Sequence, residues 1–553
     1  MGHIRLSTLI AFLGMVLVAA LLGQQAFNIS TVMVPAPGGT YVEGLAGSPR
    51  YINPLFSQYN QTDEDLVRLI FTGLTTTDDQ GQIIPDLATD WEISEDGLQY
   101  TFHLRRDVRW HDGTPFTADD VLFTVQAIQD ADFQGVSSLA DLWRQVDVKR
   151  VDDYTVSFRL GKPFAPFLGY TTSGLLPAHL LADVPARELL EHSFNTKPIG
   201  TGPFMVREAT PDHIVLAANP YFYGDRPYLE RLEFKFYPDY ESIFNAYQQG
   251  EVMGISRVQP PDLPRVHREE NLNLFSARLA GYTIIFLNLQ RPVFEEEEVR
   301  QALLYALDRQ KIIDQILDGQ GLVAHSPIMP NSWAYNERVQ RYSYDVEKAE
   351  SLLEEEGWVD ADGDGVREKE GIRLEFAILA ADDSTQIRII EEITRQWEQV
   401  GVKANPQVAG FSGLVSDFLR PRRFDAVLVN WRDTSNDPDL YPLWHSTQAV
   451  DEGQNYAGFD DREADEMLEQ ARQTTDRGAR AGMYRRFQEI FAEEVPSLLL
   501  YYPVYNYAVD ARVRGVQISP LIYPGDRFRN IAQWYINLKR VTVSEAAAVG
   551  EGS

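Results

Sequence analysis

The sequence predicts an α/β chain folded into two or three domains, and three observations carry that prediction. The chain has 553 residues, too many for one hydrophobic core. Its 44% hydrophobic and 24% charged residues make a globular composition rather than a disordered one. Along it, strands of alternating and of continuously apolar pattern are interleaved with capped helices.

The elements follow in order. From Leu6 to Gly23 no residue is charged and most are apolar, with Arg5 before the run and Glu43 the next charged side chain. Such a run is near the lower bound of ~18 residues for crossing a bilayer. Arg5 predicts a cytoplasmic N-terminus and an exported body. No A-x-A cleavage pattern follows, so an uncleaved anchor is expected ahead of a cleaved signal peptide. Thr31–Thr40, with Pro35, Pro37, Gly38 and Gly39, reads as a tether. Asp65–Phe71 reads as part of a helix.

Ile83–Val121 is a compact β unit running into a capped helix. Asp96-Gly97 and Asp112-Gly113 are turn pairs, because Asp and Gly tolerate the positive φ that such turns need. Tyr100, Phe102 and Leu104 alternate with Thr101, His103 and Arg105, the period of a strand with one buried face. Thr117 and Asp120 have the spacing of a capping box. Asp153–Leu160 is a second alternating strand. Glu295–Gly319 has helical spacing at Val299, Ala302, Leu303, Ala306, Ile313, Ile316 and Leu317, and predicts one long helix. Its leading glutamates, Glu295–Glu298, suit the positive end of the helix dipole and need no partner. Asp345 caps the next helix, Val346–Glu356, and Gly357 closes it. Phe424–Trp431 is almost continuously apolar, as in a sheet covered on both faces. Met467–Val495 is mostly helical, Tyr501–Tyr507 returns to strand, and the tail after Val543 reads as disordered.

Composition removes several functions. With no cysteine, disulfides, thiol catalysis and cysteine metal sites are excluded. The 81 acidic against 50 basic residues give a formal charge of -31, which argues against binding nucleic acid. Solvation of an exported body explains that charge better than an acidic groove does. There is no G-x-S-x-G elbow, H-E-x-x-H or phosphate loop. An exported hydrolase working through two carboxylates is the alternative of another class. Asp360, Asp362 and Asp364, with Gly365, match the first half of a calcium loop. The twelfth position, where a bidentate Glu belongs, is Gly371, and a plain Asp/Gly turn is the preferred reading. The 9 histidines are scattered, so neither nickel nor haem is supported, and no cofactor is expected.

Two strings carry more than pattern. Residues 85–105 read P-x-L-A-x-x-W-x-x-S-x-D-G-x-x-Y-T-F-x-L-R, and residues 110–121 read W-x-D-G-T-P-x-T-A-x-D-V. The chain thereby resembles the family 5 solute-binding proteins, the peptide- and nickel-binding receptors of ABC importers. The resemblance spans roughly Gly39–Lys539. It implies a periplasmic-binding-protein-like fold of two lobes joined by a hinge, with an inserted β-rich domain. Lobe I would take residues 36–72, 198–283 and 505–545, the inserted domain 73–197, and lobe II 284–504. Residues 1–35 would be anchor and tether, and 546–553 a disordered tail. Gln24 stands where a lipobox would place its cysteine, so a lipid anchor is excluded.

The implied function is capture of an oligopeptide or another small polar solute, by a monomer tethered outside the cell membrane, for delivery to a permease. An oligosaccharide is the alternative within the class. In peptide-binding relatives a Trp near this position lines the pocket, and an Asp three residues on grips the ligand's amino group. Here the Trp is Trp431 and the third residue on is Thr434, while Asp433 lies one position early and Asp437 continues a D-P-D pattern. Either Asp433 reaches the site by a shifted backbone, or this receptor does not read an α-amino group. A core tryptophan is an equal reading of Trp431. The resemblance also carries over Tyr59, Asn60, Gln61 and Thr62 at the lobe I edge, Tyr502 on the returning strand, and Arg420 for a ligand carboxylate.

Overall fold

The computed structural model describes residues 10–19, 21, 24, 31–432, 437–543 and 545–546. Two chain segments run side by side through the middle of the molecule. One is the long strand Ser497–Asp510. The other is Leu272–Arg278 followed, after Leu279–Gly281, by Tyr282–Leu287. The first half of the long strand pairs antiparallel with Tyr282–Leu287 and Gly321–Val323, and its second half with Leu272–Arg278 and Gly254–Ile255. From this crossing a single 12-stranded sheet extends both ways. One half continues through Ala426–Trp431, Glu375–Ala381 and Lys403–Ala409, the other through Thr40–Ala46, Arg231–Tyr237, His213–Ala218 and Phe204–Ala209.

The continuous apolar strands are explained by cover on both faces. Ile285, Ile378 and Leu428 pack against Ile389, Ile393 and Trp397 of the helix Ser384–Glu398. Ile284, Phe286, Leu379 and Val427 point the other way, toward Trp444, Phe487 and Phe491. Neighbouring residues therefore serve different cores. The β unit forms a separate four-stranded antiparallel sheet of Ala88–Ile93, Gln99–Leu104, Thr155–Leu160 and Val146–Asp152. Gly97 and Gly113 turn with φ of 67° and 91°. The capping box of Ala118–Gln129 forms with Asp in place of Glu. Asp120 Oδ2 accepts from Thr117 N at 2.9 Å and Trp110 Nε1 at 3.3 Å, and Oδ1 from Ala178 N at 2.9 Å. The shorter acid thus ties the helix to two further segments.

Two expectations change. The single helix over Glu295–Gly319 is two, Glu297–Tyr305 and Arg309–Ile316. Asp308 caps the second by accepting from Lys311 N at 2.9 Å. The buried Arg309 guanidinium donates to the carbonyls of Ala324, Leu499 and Tyr342. Apolar spacing sees neither a cap nor a buried guanidinium. The tether residues Thr31–Pro35 form a strand that pairs antiparallel with Leu538–Thr542, as their β-branched residues favour. Val543, Glu545 and Ala546 are helical. Of the expected anchor, residues 10–19, 21 and 24 are helical and the others lie outside the described residues, as do 544 and 547–553 of the tail. Among the described residues no helix is long and apolar enough to cross a membrane.

Candidate functional site

Glu375–Ala381 is parallel to both Lys403–Ala409 and Ala426–Trp431, so the C-terminal ends of the three strands share one edge of the sheet. Ligands of open α/β sheets bind outside such ends. Three segments leave this edge: Asp382–Ser384, Gly410–Phe411 and Trp431–Arg432. Phe411 is 71% exposed. Trp431 is half-buried, packed edge-to-face on Phe286 and on Tyr456 with ring centroids 6.2 Å apart in each case. It belongs to the core by one side and to the wall by the other.

The helix Gln61–Ile70 faces this edge from the other lobe. Asn60 caps it, its Oδ1 accepting from Thr62 N at 3.0 Å. Glu64 meets Arg432 across the gap, with Nη2 donating to Oε2 at 2.5 Å. The Arg432 guanidinium lies 5.1 Å from the Tyr523 ring centroid, and that of Arg68 lies 4.8 Å from it. Arg68 pairs in turn with Asp526 at 3.3 Å. Burial pushes the Glu64 carboxyl up to about 7, against the opposing pull of Arg432. Behind Glu64, Arg527 donates to Asp65 at 2.7 Å and to Glu43 at 2.6 Å. Tyr41 and Tyr507 each donate to the other Glu43 oxygen at 2.6 Å. This network is closed to water and fixes the helix against Pro524–Phe528. Gly281, with φ of 136°, lies in the crossing segment, where a Cβ would come within 2.3 Å of the Trp431 carbonyl. Only glycine fits there.

A gap of about 60 Å³ is bordered by Arg278, Leu521, Met329, Trp333, Pro438 and Gly81. A seam follows. Ala165 N donates to Arg472 O at 2.7 Å. The Arg472 guanidinium, gripped by Asp439 at 2.8 and 2.6 Å, lies 4.1 Å from the Tyr441 ring and 5.4 Å from the Phe164 ring.

The sequence-expected residues are divided by the structure. Asn60 caps the helix Gln61–Ile70, Gln61 opens it, and Trp431 ends the strand Ala426–Trp431. Thr62 is buried and donates to Ala46 O at 3.2 Å. Arg420 is exposed just beyond the π-helical segment Leu414–Leu419. Asp437 is gripped by Arg480 at 2.6 and 2.7 Å, so the D-P-D pattern supplies two arginine clamps. Tyr502 is buried, and its hydroxyl donates to Ser326 O at 2.7 Å. Asp433 and Thr434 lie outside the described residues, as does the Tyr59 side chain. Glu64, Asp382, Phe411, Arg432 and Tyr523 escaped the sequence reading. A signal existed for two of them: Asp382 and Arg432 each follow directly on a strand.

The Asp360 loop closes on its own amides, with Asp360 accepting from Gly363 N, Asp364 N and Gly365 N at 2.8–3.1 Å. Asp364 pairs with Arg373 at 2.8 Å. The third carboxylate near Asp360 and Asp362 is Glu368, all within 4.8 Å, and not a residue at the twelfth position.

Known proteins share this architecture. The sequence profile described as bacterial extracellular solute-binding proteins, family 5 Middle, matches residues 82–453. The oligopeptide-binding protein AppA of Bacillus subtilis (strain 168) is 31% identical over 91% of this chain and 92% of its own length. The dipeptide-binding protein of Escherichia coli (strain K12) is 29% identical over 89% of this chain and 94% of its own. The structure of AppA in complex with a nonapeptide covers 91% of this chain and 100% of its own, with a TM-score of 0.73. NikZ from Campylobacter jejuni in complex with Ni(L-His), 29% identical, covers 90% of this chain and 99% of its own, with a TM-score of 0.74. Profile, relatives and fold agree across the same span: this chain belongs to family 5 of the bacterial extracellular solute-binding proteins.

Proposed function

We propose that this chain is the extracytoplasmic receptor of an ABC importer, which captures a peptide-like solute in the cleft and hands the closed form to a permease. The observation that carries the mechanism is the crossing of the molecule by two adjacent segments, with Gly281 in one of them. Bending there would part the edge bearing Trp431 and Arg432 from the helix bearing Glu64, which Arg432 touches in the present arrangement, and bring the two together again. Closure is selected by the ligand's greater affinity for the closed state. No reaction of the ligand is part of this reading. The lobes take the boundaries 36–72, 198–283 and 505–545 against 284–504, with 73–197 inserted. The protein acts as a monomer outside the membrane, held by the Leu6–Gly23 run.

The nonapeptide in AppA supports a peptide. Thr434 at the place of the amine-gripping Asp, with the open ring of Phe411, favours a sugar as the second reading. Thermal-shift screening of protein starting at residue 31 separates the two, since ligand bound to the native state raises the midpoint. Oligopeptides are expected to raise it. A shift with oligosaccharides alone overturns the peptide reading, and turnover of a bound solute would instead indicate a hydrolase. Intact mass of membrane-extracted protein tests the anchor, which is ruled out by loss of the segment through Gly23.

A further inference from the structure

We propose that the protein binds a halide ion, chloride in the first instance, in a small gap beside the buried guanidinium of Arg309. The site is independent of what the cleft binds. Four arginines are buried among the described residues: Arg300, Arg309, Arg480 and Arg527. Three of them face a carboxylate. Arg300 meets Glu494 at 3.3 Å, Arg480 meets Asp437 at 2.6 Å, and Arg527 meets Glu43 at 2.6 Å and Asp65 at 2.7 Å. Arg309 has no acidic partner among the described residues, although the chain carries 81 acids to 50 bases. Its bonds go to neutral carbonyls: Nη1 donates to Ala324 O at 2.6 Å and Leu499 O at 2.8 Å, and Nη2 to Tyr342 O at 2.5 Å. A guanidinium has five N–H donors, so the one on Nε and one on Nη2 are left over. Burial pulls Arg309 down to about 10, and no carboxylate opposes that fall. A charge so enclosed is costly unless it is countered.

Arg309 borders a gap of about 20 Å³. One water-sized sphere needs about 10–15 Å³, so the gap admits a single small ion and not a sulfate or phosphate. Leu304, Phe491 and Val495 form its apolar side, His325 and Gln340 supply polar groups, and none of its lining residues is acidic. Burial, with Arg309 and Arg341 nearby, pushes the His325 imidazole down to about 4. Near neutral pH it is therefore uncharged and offers one N–H. A guanidinium with donors to spare, beside an apolar wall, is the chemistry that takes a weakly hydrated monovalent anion through charge-assisted hydrogen bonds. The same guanidinium joins the start of the helix Arg309–Ile316 to the long strand at Leu499. Its counter-ion thus belongs to the native state alone.

The test follows the thermal midpoint of the full chain in detergent at fixed ionic strength, as sodium gluconate, too large for the gap, is replaced by sodium chloride. Chloride is expected to raise the midpoint by about 2 °C or more and to level off with concentration, as binding to the native state does. R309Q should lose that dependence. Because loss of a buried guanidinium can prevent folding, crystals of the wild type in sodium bromide give a second measure. An anomalous peak is expected in the gap, in contact with the Arg309 guanidinium. Equal midpoints in the two salts overturn the site, and so does a gap without a bromide peak. A peak with equal midpoints means an adventitious ion only and overturns it as well. A chloride dependence that survives in folded R309Q places the ion elsewhere and has the same consequence.

Discussion

Arg527 sits with its guanidinium between Glu43 and Asp65, out of contact with water, and a further bond runs to Pro524 O at 2.9 Å. Removing one partner of such a set strands the other charges in a dry site. Arg527→Met is therefore expected to cost about 3–5 kcal/mol of unfolding free energy, measured by urea titration. Glu64 gives a pH signature. Unfolded, it releases its proton near the ordinary 4.5; folded, it holds the proton to about 7. Between those values the folded state binds more protons, so the contribution of Glu64 is full below 4.5 and is lost as pH rises to about 7. The stability of wild type minus that of Glu64→Gln should fall over that window and stay level above it, as read from urea midpoints between pH 4.5 and 8. A flat difference would contradict the buried placement of Glu64. None of this was legible in sequence, because Glu64 and Arg432 are 368 residues apart. Trp431 was legible only through the resemblance, since an apolar strand pattern gives no reason for one of its residues to be half open.

At the scale of elements, what is local was readable. The two Asp-Gly turns, the Thr117–Asp120 box and the Asp345 cap all depend on neighbours within a few residues. The break at Asp308 also depends on a cap, yet the apolar period of 295–319 masked it. Asp308→Ala is expected to cost about 1 kcal/mol, a typical loss for an N-cap, seen as a lower urea midpoint at an unchanged slope. An unchanged midpoint would mean that the Arg309 guanidinium alone holds the second helix in place.

At the scale of the molecule, the strand order was out of reach, because the long strand Ser497–Asp510 finds partners from four distant stretches of chain. Under the proposed closure about this crossing, the seam at Ala165 and Arg472 would serve as its reporter. Opening the lobes would pull the Ala165 amide from the Arg472 carbonyl, so hydrogen exchange at Ala165 should slow when a saturating ligand is added. Exchange indifferent to ligand would place the bending elsewhere. The ribbon of Thr31–Pro35 on Leu538–Thr542 has a mechanical consequence. Thr31 and Thr542 are register partners, so the chain enters and leaves the body at one spot. A pull on the N-terminal segment would load the ribbon in peeling, one hydrogen-bonded pair at a time, rather than in shear. A probe fused at either end would ride at the same point, and would report on one lobe alone.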